Sequence, residues 1–299
     1  MILTIVNNGF YFMYYSEEFM KLIVKDKSLL LEYLENNLDM SRKNLKNYLK
    51  NGSIYVDGVR TTKFDYPLNK NSIIQINTNS KNSKQLPFDI LYEDENIIVV
   101  DKPSGILSIA TNKEKELTVY HLLREYLKSK NKNAKVFVIH RLDKDTSGVL
   151  MFAKNEYSKN LFQKDWDKLV SERSYIAIVH GIMIEKEKTL VNYLKETTTN
   201  LVYISRNNDG KKAITSYKVL KEKNDLSKLR IYIQTGRKNQ IRVQLSHIEH
   251  PILGDKKYGA DSEKRLFLHA DRLTVYNPIL KTKMSFVSKV PYIFDTKLK

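Results

Sequence analysis

HRLDKDTSGVLMFAKN, residues 140–155, is the stretch on which the reading of this chain turns. The apolar run VFVIHRL (136–142) that leads into it has the composition of a buried strand, and VLMFAK (149–154) returns as another. Between them lies a loop with Asp143 and Asp145, followed by Ser147 and Gly148. A carboxylate in a loop directly after a strand is positioned by a rigid sheet, the way catalytic groups are commonly held. A lone aspartate in such a place more often caps or turns the chain, and spacing does not choose between Asp143 and Asp145. Asn155 then predicts the cap of a helix over NEYSKNLFQKDWDKLV (155–170).

Outward from this stretch the pattern stays rich in strands. ILYEDENIIVVDKPSGI (90–106) offers two apolar runs around a polar turn and ends on a Pro-Ser-Gly break. LTVYHLLREYLKSK (117–130) has the spacing of an amphipathic helix. SYIAIVHG (174–181), AITSYKVLKEK (213–223) and LRIYIQTG (229–236) predict strands. RKNQIRVQLSHIEH (237–250) predicts a helix ended by Pro251. Strands with helices inserted between them imply an α+β domain on a mixed or antiparallel sheet.

The polar segment NTNSKNSKQLPF (77–88) reads as an interdomain connector. The boundaries expected are therefore a small domain over 1–78 with its core at about 27–78, a linker over 79–88, and a large domain over 89–299. In the small domain SLLLEYLENNL (28–38) places Leu30, Leu31, Leu34 and Leu38 at helical spacing. Ser41 caps a second helix, RKNLKNYLKN (42–51), which Gly52 can end in a left-handed conformation. Leu45 and Leu49 face inward on it, while Arg42, Lys46 and Lys50 recur every four residues as a basic stripe. Such a stripe alone is as compatible with a solvated helix face as with a ligand. Asp57-Gly58 marks a hairpin turn, SIIQI (72–76) a further strand, and the first 25 residues read as a strand leading in.

Composition narrows the classes of function. The 299 residues carry 51 Lys and Arg against 34 Asp and Glu, a net charge of +17 whose natural partners are polyanions. Absence of cysteine excludes disulfides and thiolate metal sites. Among the six histidines only His247 and His250 have ligand-pair spacing, and nothing completes a familiar site, so no metal is expected. No glycine-rich phosphate loop suggests a nucleotide cofactor, and no cofactor is expected. No run approaches the length of a membrane helix and the N-terminus lacks the look of a secretory signal. The expectation is a cytoplasmic monomer acting without a membrane.

His140-Arg141-Leu142-Asp143, followed by Asp145-Thr146-Ser147-Gly148, resembles the signature of the RluA-type pseudouridine synthases. Tyr175-Ile176-Ala177-Ile178-Val179 with Gly181 resembles that family's second motif, and Thr235-Gly236-Arg237 with Gln240-Ile241-Arg242 its third. His250-Pro251, Gly254-Asp255 and Tyr258-Gly259 follow in order, and Asp101-Lys102-Pro103-Ser104-Gly105 matches its Lys-Pro turn. SRKNLKNYLKNGSIYVDGV (41–59) resembles the core of the S4 RNA-binding domain. The departures are Asn239 where His is frequent, Asn277-Pro278 where His-Pro is common, and Ser174 where a larger residue is frequent.

The resemblance implies the pseudouridine synthase fold with an N-terminal S4-like α/β domain, and isomerisation of uridine in structured RNA. It implies that Asp143 is the catalytic nucleophile, that Tyr175 packs on the target base and is a candidate proton acceptor, and that Arg242 orients Asp143 and lowers its pKa. Arg141 is expected to enter the RNA stack, with His140 and Arg237 also at the substrate, and Arg42, Lys46 and Lys50 on RNA backbone. An S4-like domain favours ribosomal RNA of the large subunit over tRNA. The rival readings are a tRNA-directed enzyme, a non-catalytic S4-type binder, and a hydrolase that admits water to the cleaved glycosidic carbon.

Overall fold

The computed structural model describes residues 15–16, 19–77, 86–111, 117–259 and 263–299. The chain divides into two compact units, one of residues 1–88 with 125–132 and one of residues 89–124 with 133–299. Of the strand expected over the first 25 residues, β1 (Tyr15–Ser16) and β2 (Phe19–Ile23) are described. The expected connector lies largely outside the described residues, at 78–85.

In the first unit β3 (Ser28–Leu29) leads into α1 (Leu30–Asn37), then α2 (Arg42–Lys50). Ser41 caps α2 by accepting from the Asn44 amide, and Gly52 follows at φ 65°, where a side chain would be strained. Leu30, Leu31, Leu34, Leu45 and Leu49 are buried, as their helical spacing requires. The Asp57–Gly58 turn, both residues at positive φ, joins β4 (Ile54–Val56) to β5 (Val59–Thr61). With β6 (Pro67–Leu68) paired to β3 and β7 (Ile73–Asn77) central, the antiparallel sheet runs β1-β2-β7-β4-β5.

The second unit is one mixed sheet of 11 strands. Its elements are β8 (Ile90–Glu93), β9 (Ile97–Lys102), β10 (Phe137–Val138), β11 (Ser147–Ala153), β12 (Val170–His180), β13 (Glu187–Glu196), β14 (Val202–Ile204), β15 (Lys211–Lys223), β16 (Leu226–Ile233), β17 (Leu268–Asn277) and β18 (Thr282–Val287). The order is β14-β13-β15-β16-β12-β17-β11-β9-β8, with β10 on β11 and β18 on β17. All neighbours are antiparallel except β11 with β17. That parallel pair is close enough that a Cβ on Gly148 would lie 2.1 Å from the Ala270 carbonyl oxygen, and Gly148 sits at φ 114°. β11 is buried along its whole length, which accounts for the continuous apolar reading of VLMFAK.

The helices are α3 (Val119–Lys130), α4 (Glu156–Lys164), α5 (Trp166–Leu169), α6 (Gln240–His247) and α7 (Ile293–Thr296). Asn155 caps α4 as expected, accepting from Ser158 N at 2.8 Å, but the helix over 155–170 breaks at Asp165. The strand expected over 136–142 shrinks to Phe137–Val138. Its distal end leaves the ladder because the Ser108 hydroxyl takes both Leu142 backbone groups, donating to the carbonyl at 2.7 Å and accepting from the amide at 3.1 Å. β13, β14, β17 and β18 have no counterpart among the strands expected from sequence. No helix among the described residues is long and apolar enough to cross a membrane.

Candidate active site

The turn after β9 and the loop before β11 are built as one piece. Lys102 is fully buried, and its ammonium donates to the carbonyls of Pro103 (2.9 Å), Ile106 (2.7 Å) and Lys144 (2.8 Å). Gly105 N also donates to Lys144 O, and Ser104 Oγ to Asp145 O. Burial pulls Lys102 down to about 7, with Asp145 and Asp143 opposing. Three acceptors need three donors, and only the charged ammonium supplies them. The loop carrying Asp143 is thereby held through its backbone, leaving its side chains free for other work.

Asp143 lines a cavity of about 360 Å³ together with His140, Arg141, Tyr175, Arg237 and Arg242. Asp145, its competitor in the sequence, is exposed and lies outside that lining. The expected residues of the second unit are thus gathered around one space. Arg42, Lys46 and Lys50 belong to the first unit, where they are exposed on α2, and Arg42 pairs with Glu35 at 3.1 Å.

Two expectations about Arg242 change. Its strongest partner is Asp255, which it grips in a fork, Nε to Oδ2 at 2.8 Å and Nη2 to Oδ1 at 2.7 Å. Nη1 donates to Asn239 Oδ1 at 3.2 Å and stands 3.7 Å from Asp143 Oδ2. Asp143 therefore meets an arginine already oriented by another carboxylate. The Asp143 pKa is also raised, not lowered: burial outweighs the pull of Arg242, Arg141 and Lys102.

Asn239 explains its own departure from the family pattern. It occupies the left-handed region at φ 52°, which a short amide tolerates. While its Oδ1 accepts from Arg242, its Nδ2 donates to Tyr258 Oη at 3.1 Å. Tyr258 in turn lies under the guanidinium, 5.2 Å from ring centre to Arg242 Cζ.

Tyr175 is buried on β12, and burial pushes its phenol up to about 12, Asp143 adding to the rise and Arg173 opposing it. At neutral pH it is therefore a neutral phenol. His140 also stays neutral, because burial and then Arg173 pull it down to about 3. Its Nε2 accepts from Met151 N at 3.1 Å and its ring stacks on Trp166 at 4.8 Å. That ring braces β11 and supplies no charge for RNA phosphate. Arg237 is exposed, its Nε donating to Lys212 O at 3.0 Å.

Lys102, Asp255, Trp166 and Arg173 were not assigned roles from the sequence. Lys102 and Asp255 stood inside quoted motifs, yet their partners at 144 and 242 are visible only in three dimensions. Among the described residues no group of three or more His, Cys, Asp or Glu forms a metal cluster. Of the pair His247 and His250, the His250 Nδ1 lies 2.8 Å from His180 O.

A family model described as RNA pseudouridylate synthase matches residues 96–247. An uncharacterized RNA pseudouridine synthase of Mycoplasma pneumoniae is 32% identical over 287 residues, covering 89% of this chain and 90% of its own. The ribosomal large subunit pseudouridine synthase D of Buchnera aphidicola is 32% identical over 248 residues, 76% of this chain and 75% of its own. Among solved structures, human RNA pseudouridylate synthase domain containing 4 superposes with a TM-score of 0.58 at 25% identity, covering 70% of this chain and 91% of that one.

Proposed function

Given that the chain belongs to the RNA pseudouridylate synthase family, we propose that it modifies large-subunit ribosomal RNA with Asp143 acting at C1′ of the target uridine. The protein is an RNA pseudouridine synthase, an isomerase. The observation that carries the assignment to Asp143 is its carboxylate in one cavity with Arg242 and Tyr175, on a loop clamped by Lys102.

Isomerisation breaks the N1–C1′ bond, turns the uracil and forms C5–C1′. A carboxylate serves it as nucleophile at C1′ or by assisting elimination at C2′, the logic of glycoside-cleaving enzymes. Either role needs the ionised form. Arg242 offsets part of the burial that opposes ionisation, and Asp255 fixes the arginine for that purpose. The target base leaves its stack at a cost of a few kcal/mol. The exposed Arg141, which lines the same cavity, fills the vacated space. Tyr175 packs against the uracil. As a neutral phenol it can accept the C5 proton only as it gives up its own, which makes its surroundings part of the chemistry.

Ribosomal RNA is favoured over tRNA by the relative named for the ribosomal large subunit, while the net charge of +17 and the exposed Arg42, Lys46 and Lys50 on α2 favour RNA of either kind. The first unit acts as an S4-like binding domain, its basic helix against the RNA backbone.

Tritium release from C5-labelled transcripts of large-subunit rRNA and of tRNA tests both halves. Release from the rRNA transcript with the base retained is expected, and Asp143→Asn should abolish it while RNA binding survives. Free uracil would indicate a hydrolase, turnover of tRNA alone would overturn the rRNA target, and turnover by the Asn variant would remove Asp143 from the chemistry.

A further inference from the structure

When N1–C1′ breaks, the bonding electron pair leaves with the base. Asp143 then either forms a bond to C1′ or has assisted loss of the C2′ proton. In both routes the uracil departs as an anion, its charge shared among N1, O2, O4 and C5. That charge develops in a cavity containing a carboxylate, so a cation placed for the base is needed beyond the one that serves Asp143.

The cavity cations are not equally available for it. Arg242 is shared between Asp255 and Asp143. Lys238 is held by Glu196 and Asn200. Arg141 and Arg237 are exposed, where water screens them. Arg173 differs from all of these. Its side chain is 12% exposed, and its nearest carboxylate is Asp167 at 3.7 Å, itself 80% exposed. Nη2 donates to Gln234 O at 2.7 Å, while Nε is buried and has no hydrogen-bond partner among the described residues. Arg173, Tyr175 and Gly236 line the same cavity. A Cβ on Gly236 would stand 3.0 Å from Arg173 Nη1, so the glycine leaves the guanidinium its space.

We propose that Arg173 is the leaving-group cation: its guanidinium donates to an exocyclic oxygen of uracil and stabilises the ring as it departs from C1′ as an anion. The same positive charge acts on Tyr175, opposing the upward push of burial on the phenol beside it. One residue thereby serves both ends of the reaction, release of the base and loss of the C5 proton. The inference rests on the reading that this cavity cleaves the N1–C1′ bond of uridine.

The test varies the leaving group. In 5-fluorouridine the fluorine withdraws electron density, so the departing ring is less basic and depends less on a cation. Glycosidic cleavage is followed under single-turnover conditions on RNA bearing uridine or 5-fluorouridine at the target. Arg173→Met should slow cleavage of the uridine RNA on the order of 10²-fold with RNA affinity unchanged, the size seen when one preorganised donor is removed. On the fluorinated RNA the defect should shrink by about tenfold, the rate equivalent of one leaving-group hydrogen bond. Arg173→Lys, which keeps charge without the planar fork, should fall between the two.

Equal defects on both substrates, or a loss confined to RNA affinity, overturn the proposal. If Arg173→Met does not fold, Gly236→Ala displaces the guanidinium without removing it and is read by the same contrast. Asp143→Asn, run in parallel, separates the two assignments. Normal cleavage by that variant removes Asp143 from the bond-breaking step and leaves the Arg173 contrast to stand or fall on its own.

Discussion

At Asp143 burial raises the carboxyl pKa, while Arg242, Arg141 and Lys102 pull it back without reversing the direction. A group whose folded pKa lies above its unfolded value binds more protons in the native state between the two values. Its favourable contribution is complete below the unfolded pKa, near 3.8, and is lost as pH rises through the folded one. At neutral pH, above the unfolded pKa, the upward shift of Asp143 therefore counts against folding. Asp143→Asn should melt at a higher temperature than the parent at pH 7, with the gain vanishing below about pH 4. Thermal unfolding of both proteins across that range checks it, and a lower melting temperature for the variant at pH 7 would mean that pairing with Arg242 outweighs burial. Activity is expected to fall in the same substitution, so function and stability should pull in opposite directions at this residue.

Among elements, the turn at 101–105 and the loop at 142–146 behave as one. Lys102 fastens them by hydrogen bonds to three carbonyls, and Ser104, Gly105 and Ser108 bind the backbone at 145, 144 and 142. Lys102→Met keeps much of the side-chain volume but removes the donor of the Pro103 and Ile106 carbonyls, while Lys144 O keeps Gly105 N. It should cost about 2 kcal/mol or more, since each buried group left unsatisfied costs roughly 1–3 kcal/mol. Urea denaturation measures the loss, and activity should drop with it because Asp143 rides on the released loop. A variant as stable as the parent would show that the turn holds without its ammonium. Gly148 makes the complementary point: where β11 meets β17 the Ala270 backbone occupies the place of any Cβ, and only glycine fits.

For the whole molecule the net charge of +17 sets a long-range attraction for RNA, and the first unit contributes exposed basic residues on α2. Replacing Arg42, Lys46 and Lys50 together by Ala should weaken RNA binding and flatten its salt dependence. The slope of log affinity against log salt should fall by roughly 0.7–0.9 for each phosphate that is no longer neutralised. Titrations at several salt concentrations read this directly, and an unchanged slope would make the stripe a solvated helix face. Cleavage of bound RNA under saturating conditions should be little affected, because none of the three lines the cavity.

Local signals were legible wherever a single segment decides its own structure. Ser41 and Asn155 as caps, Asp57-Gly58 as a hairpin turn, the leucines of α1 and α2 as an inner face and the buried β11 all followed from chemistry within a few residues. The order of motifs gave the family. Tertiary structure decided what depends on residues distant in sequence. The Ser108 hydroxyl ends a strand that VFVIHRL alone would extend, and Asp255 claims the guanidinium that the motif pairs with Asp143. Spacing could not choose between Asp143 and Asp145, since both sit in one loop; they differ in which of them reaches the cavity. Even the sign of the Asp143 pKa shift was hidden, because a neighbouring arginine is written in the sequence while the burial that outweighs it exists only once the sheet has closed around the loop.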